Sequence, residues 1–336
     1  MVGAMSENLN AIRGRYAPSP TGDLHLGNLR TALLAWLFAR VAAGNFVLRV
    51  EDLDQPRVRP GATERMLADL RWLELDWDEG PDCSGPHAPY VQSERKAIYQ
   101  DYLQRLQTAG LVYPCYCSRA EVAQASRIAS APQQGAEEGP RYPGTCRHLT
   151  AKQRRDYEKR GRRPAWRFRV DDERIITFND LSAGPITQHV QQTVGDFILC
   201  RSDGIFAYQL AVVIDDGLMN INQVVRGADL LSSTARQILL FEALNLPIPT
   251  FAHVPLILDE RGKRFAKRTQ SAGIEPLRNA GLTPQQVVGQ LAASCGLVKP
   301  GTATSPIELA RLYSQQSYDI MPAKLRSYDL YFKLES

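Results

Sequence analysis

Arg15-Tyr-Ala-Pro-Ser-Pro-Thr-Gly-Asp-Leu-His-Leu-Gly-Asn28 decides the fold. It continues an extended run from Ile12 to Ala17 and empties into an apolar stretch from Leu29 to Ala43. Pro18 and Pro20 keep the connection extended, while Gly22 and Gly27 remove Cβ atoms that would hold a ligand away from the backbone. The pattern predicts a strand, a tight loop and a helix that begins near Asn28. Such a loop offers backbone N–H groups and the positive end of a helix dipole, which suits a phosphate, and His25 adds a donor on the same side. The same residues also fit an ordinary turn carrying a surface histidine, because neither a Walker lysine nor a Gly-x-Gly-x-x-Gly run is present. Gly44 and Asn45 end the helix, and Phe46 to Val50 follows as an apolar strand. Strand, helix and strand in that order open a doubly wound parallel sheet. Ligands of such sheets sit beyond the carboxyl ends of the strands, where Glu51, Asp52 and Asp54 emerge.

A chain of 336 residues predicts two or three structural units with ample buried core. No run approaches the ~20 apolar residues that span a bilayer, and no charged segment followed by a hydrophobic one opens the chain, so a cytoplasmic protein without a membrane partner is expected. The net charge of +4 does not by itself demand a polyanion. Between Lys152 and Arg169, however, lysine and arginine crowd together against only Asp156 and Glu158, which fits either a solvated helix or a phosphate-binding face. Trp166-Arg-Phe-Arg-Val170 alternates as a half-buried strand does, although aromatic residues among cations also suit base stacking. The six cysteines are spread along the chain rather than concentrated in a small secreted module, which argues against disulfides.

Helical spacing recurs in Pro60 to Leu73, Glu94 to Ala109, Ser232 to Leu244, Pro284 to Cys295 and Ile307 to Tyr313, with Ser232 or Ser233 as the cap of the third. Strands are expected at Ile175 to Phe178, Phe197 to Leu199, Phe206 to Ile214, Gln223 to Arg226 and Phe251 to Leu258. The segment 120–139 is expected to be a mobile loop within the insertion; its first half can extend a helix, whereas 130–139 is too poor in apolar residues to order alone.

Ala17-Pro-Ser-Pro-Thr-Gly22 followed by His25-Leu-Gly27 resembles the HIGH signature of class I glutamyl-type tRNA synthetases. Arg49-Val-Glu-Asp-Leu-Asp54, Tyr208-Gln-Leu-Ala211, Val225-Arg-Gly-Ala-Asp-Leu230 and a Lys/Arg loop at 263–268 follow in that family's order. The resemblance implies an α/β fold: a Rossmann-type doubly wound parallel sheet with an inserted α+β acceptor-type subdomain and a short helical C-terminal region. Its parts would be a first catalytic half at 1–82, the insertion at 83–193, the second half at 194–258, and a KMSKS-like loop with a short tail at 259–336. That tail has no room for the large helical anticodon-binding region of full-length glutamyl-tRNA synthetases.

The resemblance also implies the site. Glutamate would be held by Arg15, Tyr16, Ala17, Pro18, Ser19, Glu51, Tyr208 and Arg226, and ATP by His25, Gly27, Asn28 and Lys267, with His25 and Lys267 catalytic and Mg²⁺ accompanying the nucleotide. The chemistry is apt: arginine forks match carboxylates, while a carboxylate and a phenol suit an ammonium group. Arg15 and Arg226 could equally be strand-end ion-pair partners of Glu51 or Asp229. Lys263-Arg-Phe-Ala-Lys-Arg268 departs from the family's loop at Arg264 and Ala266, which retains its charge but alters its closure.

Cys115-x-Cys117 with Tyr142-x-x-x-Cys146 resembles the structural zinc site, one per chain, of the short enzymes of this family. Three sulfurs and one hard donor complete a tetrahedron, His148 competes as the fourth ligand, and buried free thiols are the plain alternative. The short branch transfers glutamate to the queuosine base of tRNA(Asp), so the implied partners are ATP, L-glutamate and queuosine-bearing tRNA(Asp), bound by a monomer. A conventional glutamyl-tRNA synthetase and a non-catalytic RNA-binding paralogue are the alternatives.

Overall fold

The computed structural model describes residues 11–128, 141–255 and 273–314. Strand β1 (Arg13–Tyr16) leads through the signature loop into helix α1 (Leu26–Val41), and β2 (Asn45–Leu48) returns alongside β1 in parallel, with Arg15 opposite Val47. The return is short because Gly44 fits against Ile12, where a Cβ would collide with the Ile12 carbonyl. Helix α1 is buried on almost every side, from Leu26 to Ala39, so its sequence reads as apolar throughout rather than amphipathic. It packs on β1, with Gly14 beneath Ala39, and against α10 (Pro284–Ala293) and α11 (Pro306–Ser314) at the end of the described chain.

Helices α2 (Ala62–Trp72) and α3 (Lys96–Thr108) follow, then β3 (Val112–Cys115), α4 (Arg119–Ile128), α5 (Ala151–Lys159), β4 (Ala165–Phe168), β5 (Ile175–Asp180), β6 (Gly184–His189), the single turn α6 (Val190–Thr193) and β7 (Ile198–Cys200). The second half continues with α7 (Tyr208–Leu218), β8 (Gln223–Gly227), α8 (Thr234–Ala243) and β9 (Thr250–Val254), and α9 (Ile274–Asn279) precedes α10.

Two sheets result. The larger has the order β2-β1-β8-β9-β5-β6, parallel except for the β5/β6 hairpin at its edge. The chain builds from β1 outward to β2 and later resumes on the opposite side at β8, so a crevice opens at the carboxyl ends of β1 and β8. The smaller sheet is antiparallel, β3-β4-β7. Sheet membership crosses the expected boundary at 193: β5 and β6 precede it yet join the large sheet, and β7 follows it yet completes the small one.

The expected strand from Phe206 to Ile214 is instead helix α7, introduced by the extended Ala207. Leu210 to Ile214 are all buried, so the run is apolar on every face, and an all-apolar run does not separate a buried strand from a buried helix. The helix expected from Asn28 begins earlier, at Leu26, because His25 is its N-cap. Ser233 precedes α8, but its side chain makes no capping hydrogen bond; its hydroxyl instead accepts from Gln209 and Arg236. Helix α5 has no buried residue, which matches the solvated reading of the basic stretch. All six cysteines are free thiols, and among the described residues no helix is long and apolar enough to cross a membrane. Of the loop expected to be mobile at 120–139, residues 120–128 belong instead to helix α4, and 129–139 lie outside the described residues.

Asp69 of α2 is buried, and burial raises its carboxyl to about 6, with Arg278 of α9 opposing from 3.8 Å. A raised carboxyl favours the folded state below its unfolded value, and that contribution is lost as pH rises through about 6. Asp69→Asn is therefore expected to stabilise the protein at pH 7 by on the order of 1–2 kcal/mol and to give no gain near pH 4. Urea unfolding at the two pH values reads this directly, and an equal change at both would contradict it.

Candidate active site

The crevice is a cleft of about 1100 Å³ whose lining includes the signature loop, Glu51, Tyr208 and Arg226. The loop is fastened to the chain beyond β2 by backbone bonds that extend the parallel ladder: Arg49 N–H donates to Tyr16 O at 3.0 Å and Glu51 N–H to Pro18 O at 3.0 Å. Glu51 is thereby held beside the loop.

His25 and Asn28 form a reciprocal cap on α1. His25 Nδ1 accepts from the Asn28 backbone N–H at 3.2 Å, and Asn28 Oδ1 accepts from the His25 N–H at 3.4 Å. An accepting Nδ1 places the ring proton on Nε2, so the imidazole carries a donor at its far edge. Asn28 lines the cleft, yet these polar groups are engaged by His25.

Charge is laid out unevenly across the cleft floor. Arg49, fully buried, bonds Asp216 Oδ1 at 2.8 Å and Glu51 Oε1 at 3.0 Å and lies 3.6 Å from Asp215. Arg15 meets Asp216 at 3.4 Å. Asp215 also accepts from Arg95, Gln92 and Tyr99, which ties α7 to the start of α3. Burial raises the Glu51 carboxyl against the pull of Arg49 and Arg15, whereas for Asp216 the two arginines outweigh burial and hold it below its ordinary range.

Arg226 differs. Its side chain is buried, and among the described residues it forms no ion pair. Its N–H groups go to neutral acceptors: Nε to His253 Nε2 at 3.0 Å, Nη1 to Gln237 Oε1 at 2.6 Å, and Nη2 to Thr234 Oγ1 at 2.9 Å. Burial lowers its pKa, with Tyr208 opposing and Arg15 adding to the effect. Burial likewise raises the Tyr208 phenol. The cleft thus places an arginine without a carboxylate partner in the same lining as a carboxylate and a phenol, an arrangement suited to an anion and a cation on one small molecule.

A second cluster sits at the end of β3. The sulfurs of Cys115, Cys117 and Cys146 lie within 4.8 Å of one another, with Cys117 and Cys146 at 3.5 Å. Tyr142 Oη is 3.4 Å from Cys115 Sγ and 3.9 Å from Cys117 Sγ, and it accepts from the Cys146 N–H at 2.7 Å. The Tyr142 ring is pinned by the Arg167 guanidinium, 3.7 Å from its centroid. Hydrogen bonds from Cys117 and Cys146 pull the Cys115 thiol far below its usual range, and burial pushes the Tyr142 phenol up. A tetrahedral zinc with bonds of about 2.3 Å separates its sulfurs by roughly 3.8 Å, so these donors fit that ion. His148 is exposed and absent from the cluster.

The chain matches the model of the class I tRNA synthetase catalytic domain (E and Q) over residues 11–299. It belongs to that family. The synthetase is 54% identical over 300 residues to a glutamyl-Q tRNA(Asp) synthetase of Symbiobacterium thermophilum, covering 89% of this chain and 91% of the relative. A glutamyl-Q tRNA(Asp) synthetase of Nitratidesulfovibrio vulgaris is 50% identical over 311 residues, 93% of this chain and 94% of that one. A crystal structure of a glutamate tRNA ligase from Elizabethkingia meningosepticum in complex with its amino acid superposes with a TM-score of 0.78 at 30% identity, covering 97% of this chain and 68% of that chain. The synthetase is accordingly a ligase with the Rossmann-type catalytic fold of its class.

Arg15, Tyr16, Ala17, Pro18, Ser19, His25, Gly27, Asn28, Glu51, Tyr208 and Arg226 all line the one cleft. Tyr16 is mostly packed in the core, and its buried Oη lacks a hydrogen-bond partner among the described residues. Lys267 and its loop lie outside the described residues. Sequence reasoning assigned no role to Arg49, Asp216, Asp180 or His253. Arg49 and Asp216 carried a signal, a charge inside an apolar run, while His253 and Asp180 acquire meaning only through strand register.

Proposed function

We propose that the synthetase activates glutamate with ATP without needing tRNA, and then transfers it to the queuosine base in the anticodon loop of tRNA(Asp), acting as a cytoplasmic monomer. The observation that carries the glutamate site is Arg226, a buried cation with no carboxylate partner among the described residues, in a cleft that also presents Glu51 and Tyr208. Its guanidinium suits the substrate's side-chain carboxylate; Glu51 and Tyr208 suit the ammonium group. ATP lies along the signature loop, with the first N–H groups of α1 and His25 Nε2–H as donors to phosphate oxygens. The α-carboxylate oxygen attacks the α-phosphorus in line, pyrophosphate leaves, and glutamyl-adenylate forms. A hydroxyl of the queuosine base then attacks the anhydride carbonyl, and AMP leaves. Mg²⁺ bound with ATP would offset charge on the phosphates, and Lys267 would add to that for pyrophosphate.

The RNA assignment is supported by the near-complete mutual coverage with the two glutamyl-Q tRNA(Asp) synthetases. Glutamate-dependent ATP/pyrophosphate exchange without RNA, followed by labelled-glutamate transfer to tRNA(Asp) with and without queuosine, tests both steps. Exchange only with tRNA(Glu), and charging of that RNA, would replace this reading with a conventional glutamyl-tRNA synthetase.

Cys115, Cys117, Cys146 and Tyr142, none of which lines the cleft, would hold a structural zinc. Cys115→Ser is expected to lower bound zinc from about one per chain to near zero and to reduce thermal stability. Elemental analysis of purified protein decides it, and a metal-free unaltered protein would refute the assignment.

A further inference from the structure

Arg226 and His253 are register partners on the adjacent parallel strands β8 and β9, so their side chains leave the sheet on the same face. Behind them, Asp180 closes β5 where that strand meets β9, and it is fully buried. Its Oδ1 accepts from the backbone N–H groups of Ser182 at 3.0 Å, Ala183 at 2.8 Å and His253 at 3.2 Å. Its Oδ2 stands 2.5 Å from His253 Nδ1. On the other side of the ring, Nε2 receives Arg226 Nε–H at 3.0 Å, with the Thr234 hydroxyl at 3.3 Å.

Only one proton placement satisfies this row. Arg226 Nε is a donor without acceptor capacity, so Nε2 must present a lone pair. The ring proton is then on Nδ1 and goes to Asp180. A carboxylate touching Arg226 directly would fix it equally well but would neutralise it. The imidazole separates the two charges by the width of a ring, holding the guanidinium with a neutral acceptor while leaving its charge for a ligand. Phe251, also on β9, covers the guanidinium at 5.2 Å and lies nearly parallel to the His253 ring.

We propose that Asp180 and His253 are positioning residues for the amino-acid site: Asp180 sets the Nδ1–H tautomer of His253, and the Nε2 lone pair orients the Arg226 guanidinium towards the substrate carboxylate. This rests on Arg226 being the ligand of that carboxylate. Selection of glutamate over glutamine is the consequence, since an oriented, unneutralised guanidinium rewards a carboxylate far more than an amide.

Asp180→Asn tests the tautomer with little change of shape. The amide oxygen can still accept from Ser182 and Ala183, while its NH₂ faces Nδ1 and drives the ring proton to Nε2, donor against donor at Arg226. In ATP/pyrophosphate exchange, KM for glutamate should rise about tenfold or more with KM for ATP unchanged, and the preference for glutamate over glutamine should narrow. His253→Gln, whose amide oxygen can replace the Nε2 acceptor, should stay within about fivefold of the unaltered protein; adding Asp180→Asn to it should cost under about threefold. The chain has only five histidines, so ¹⁵N-histidine NMR can assign His253 by its loss in His253→Gln and follow its tautomer. An Asp180→Asn protein with unmoved glutamate KM, or with glutamate and ATP KM raised alike, would overturn the positioning role. No glutamate-dependent exchange by the unaltered protein, with or without tRNA, would instead overturn the glutamate reading and this inference with it.

Discussion

Arg226→Gln should lose two to three orders of magnitude in kcat/KM for glutamate activation while unfolding no earlier than the unaltered protein. Removing one member of a desolvated charge pair costs about 2–5 kcal/mol, which is roughly that factor in rate. The expected stability follows from how Arg226 is held. Among the described residues Arg226 is a buried cation held by neutral partners, His253, Gln237, Thr234 and the Leu230 carbonyl, and burial already weakens its hold on its proton. A neutral side chain of similar length removes that desolvation cost and can keep part of the bonding. Loss of activity with an unchanged or higher Tm identifies a residue kept for its ligand. A large fall in Tm would mean that Arg226 serves the fold, and undiminished exchange would move the carboxylate site elsewhere.

Arg49→Ala should do the opposite, unfolding the protein much more readily. Arg49 lies among Glu51, Asp215 and Asp216 with no exposure to water. Its deletion leaves three carboxylates sharing Arg15 and Arg95, and breaking a buried pair from one side costs about 3–5 kcal/mol. A fall in Tm of about 10 °C is expected. Its pH dependence carries a sign. In the unaltered protein the lowered Asp216 carboxyl contributes stability that is present above its unfolded value and lost as pH falls. Without Arg49, which holds the Asp216 and Glu51 carboxyls down, these two titrate higher and accept protons readily, so the deficit should be largest near neutrality and shrink on acidification. Urea midpoints of both proteins between pH 5 and pH 8 check this, where about 5 and 8 bracket the range of ordinary maximal stability. A deficit independent of pH would point to lost packing alone.

The parts of the molecule that were legible in the sequence are those whose physics is local. Two prolines, two glycines and an apolar run fix β1, the loop and α1, and the carboxylates after β2 fall where strand ends place them. Residues at Leu210 to Ile214 were misread because burial on all sides erases periodicity. Strand β5 alternates in burial, but its outward positions include the exposed Ile175 and its inward end is Asp180, so the apolar pattern of its sequence does not announce an edge of the large sheet. His253 and Asp180 were invisible for a different reason: their meaning lies in pairings between strands far apart in the chain, and neither sits in a stretch of sequence that resembles a signature. The three cysteines and Tyr142 were legible by family likeness, whereas the exclusion of His148 needed coordinates.

The exchange of strands between the two sheets bears on how such an enzyme can diversify. A module spliced in at one loop can be traded between lineages as a cassette, because its removal heals at the junction. Here, cutting out 83–193 would take β5 and β6 from the large sheet, and with them Asp180, while stranding β7 without its partner. The small sheet and the floor of the cleft therefore draw on one segment of chain, and replacing that segment to alter the one would dismantle part of the other.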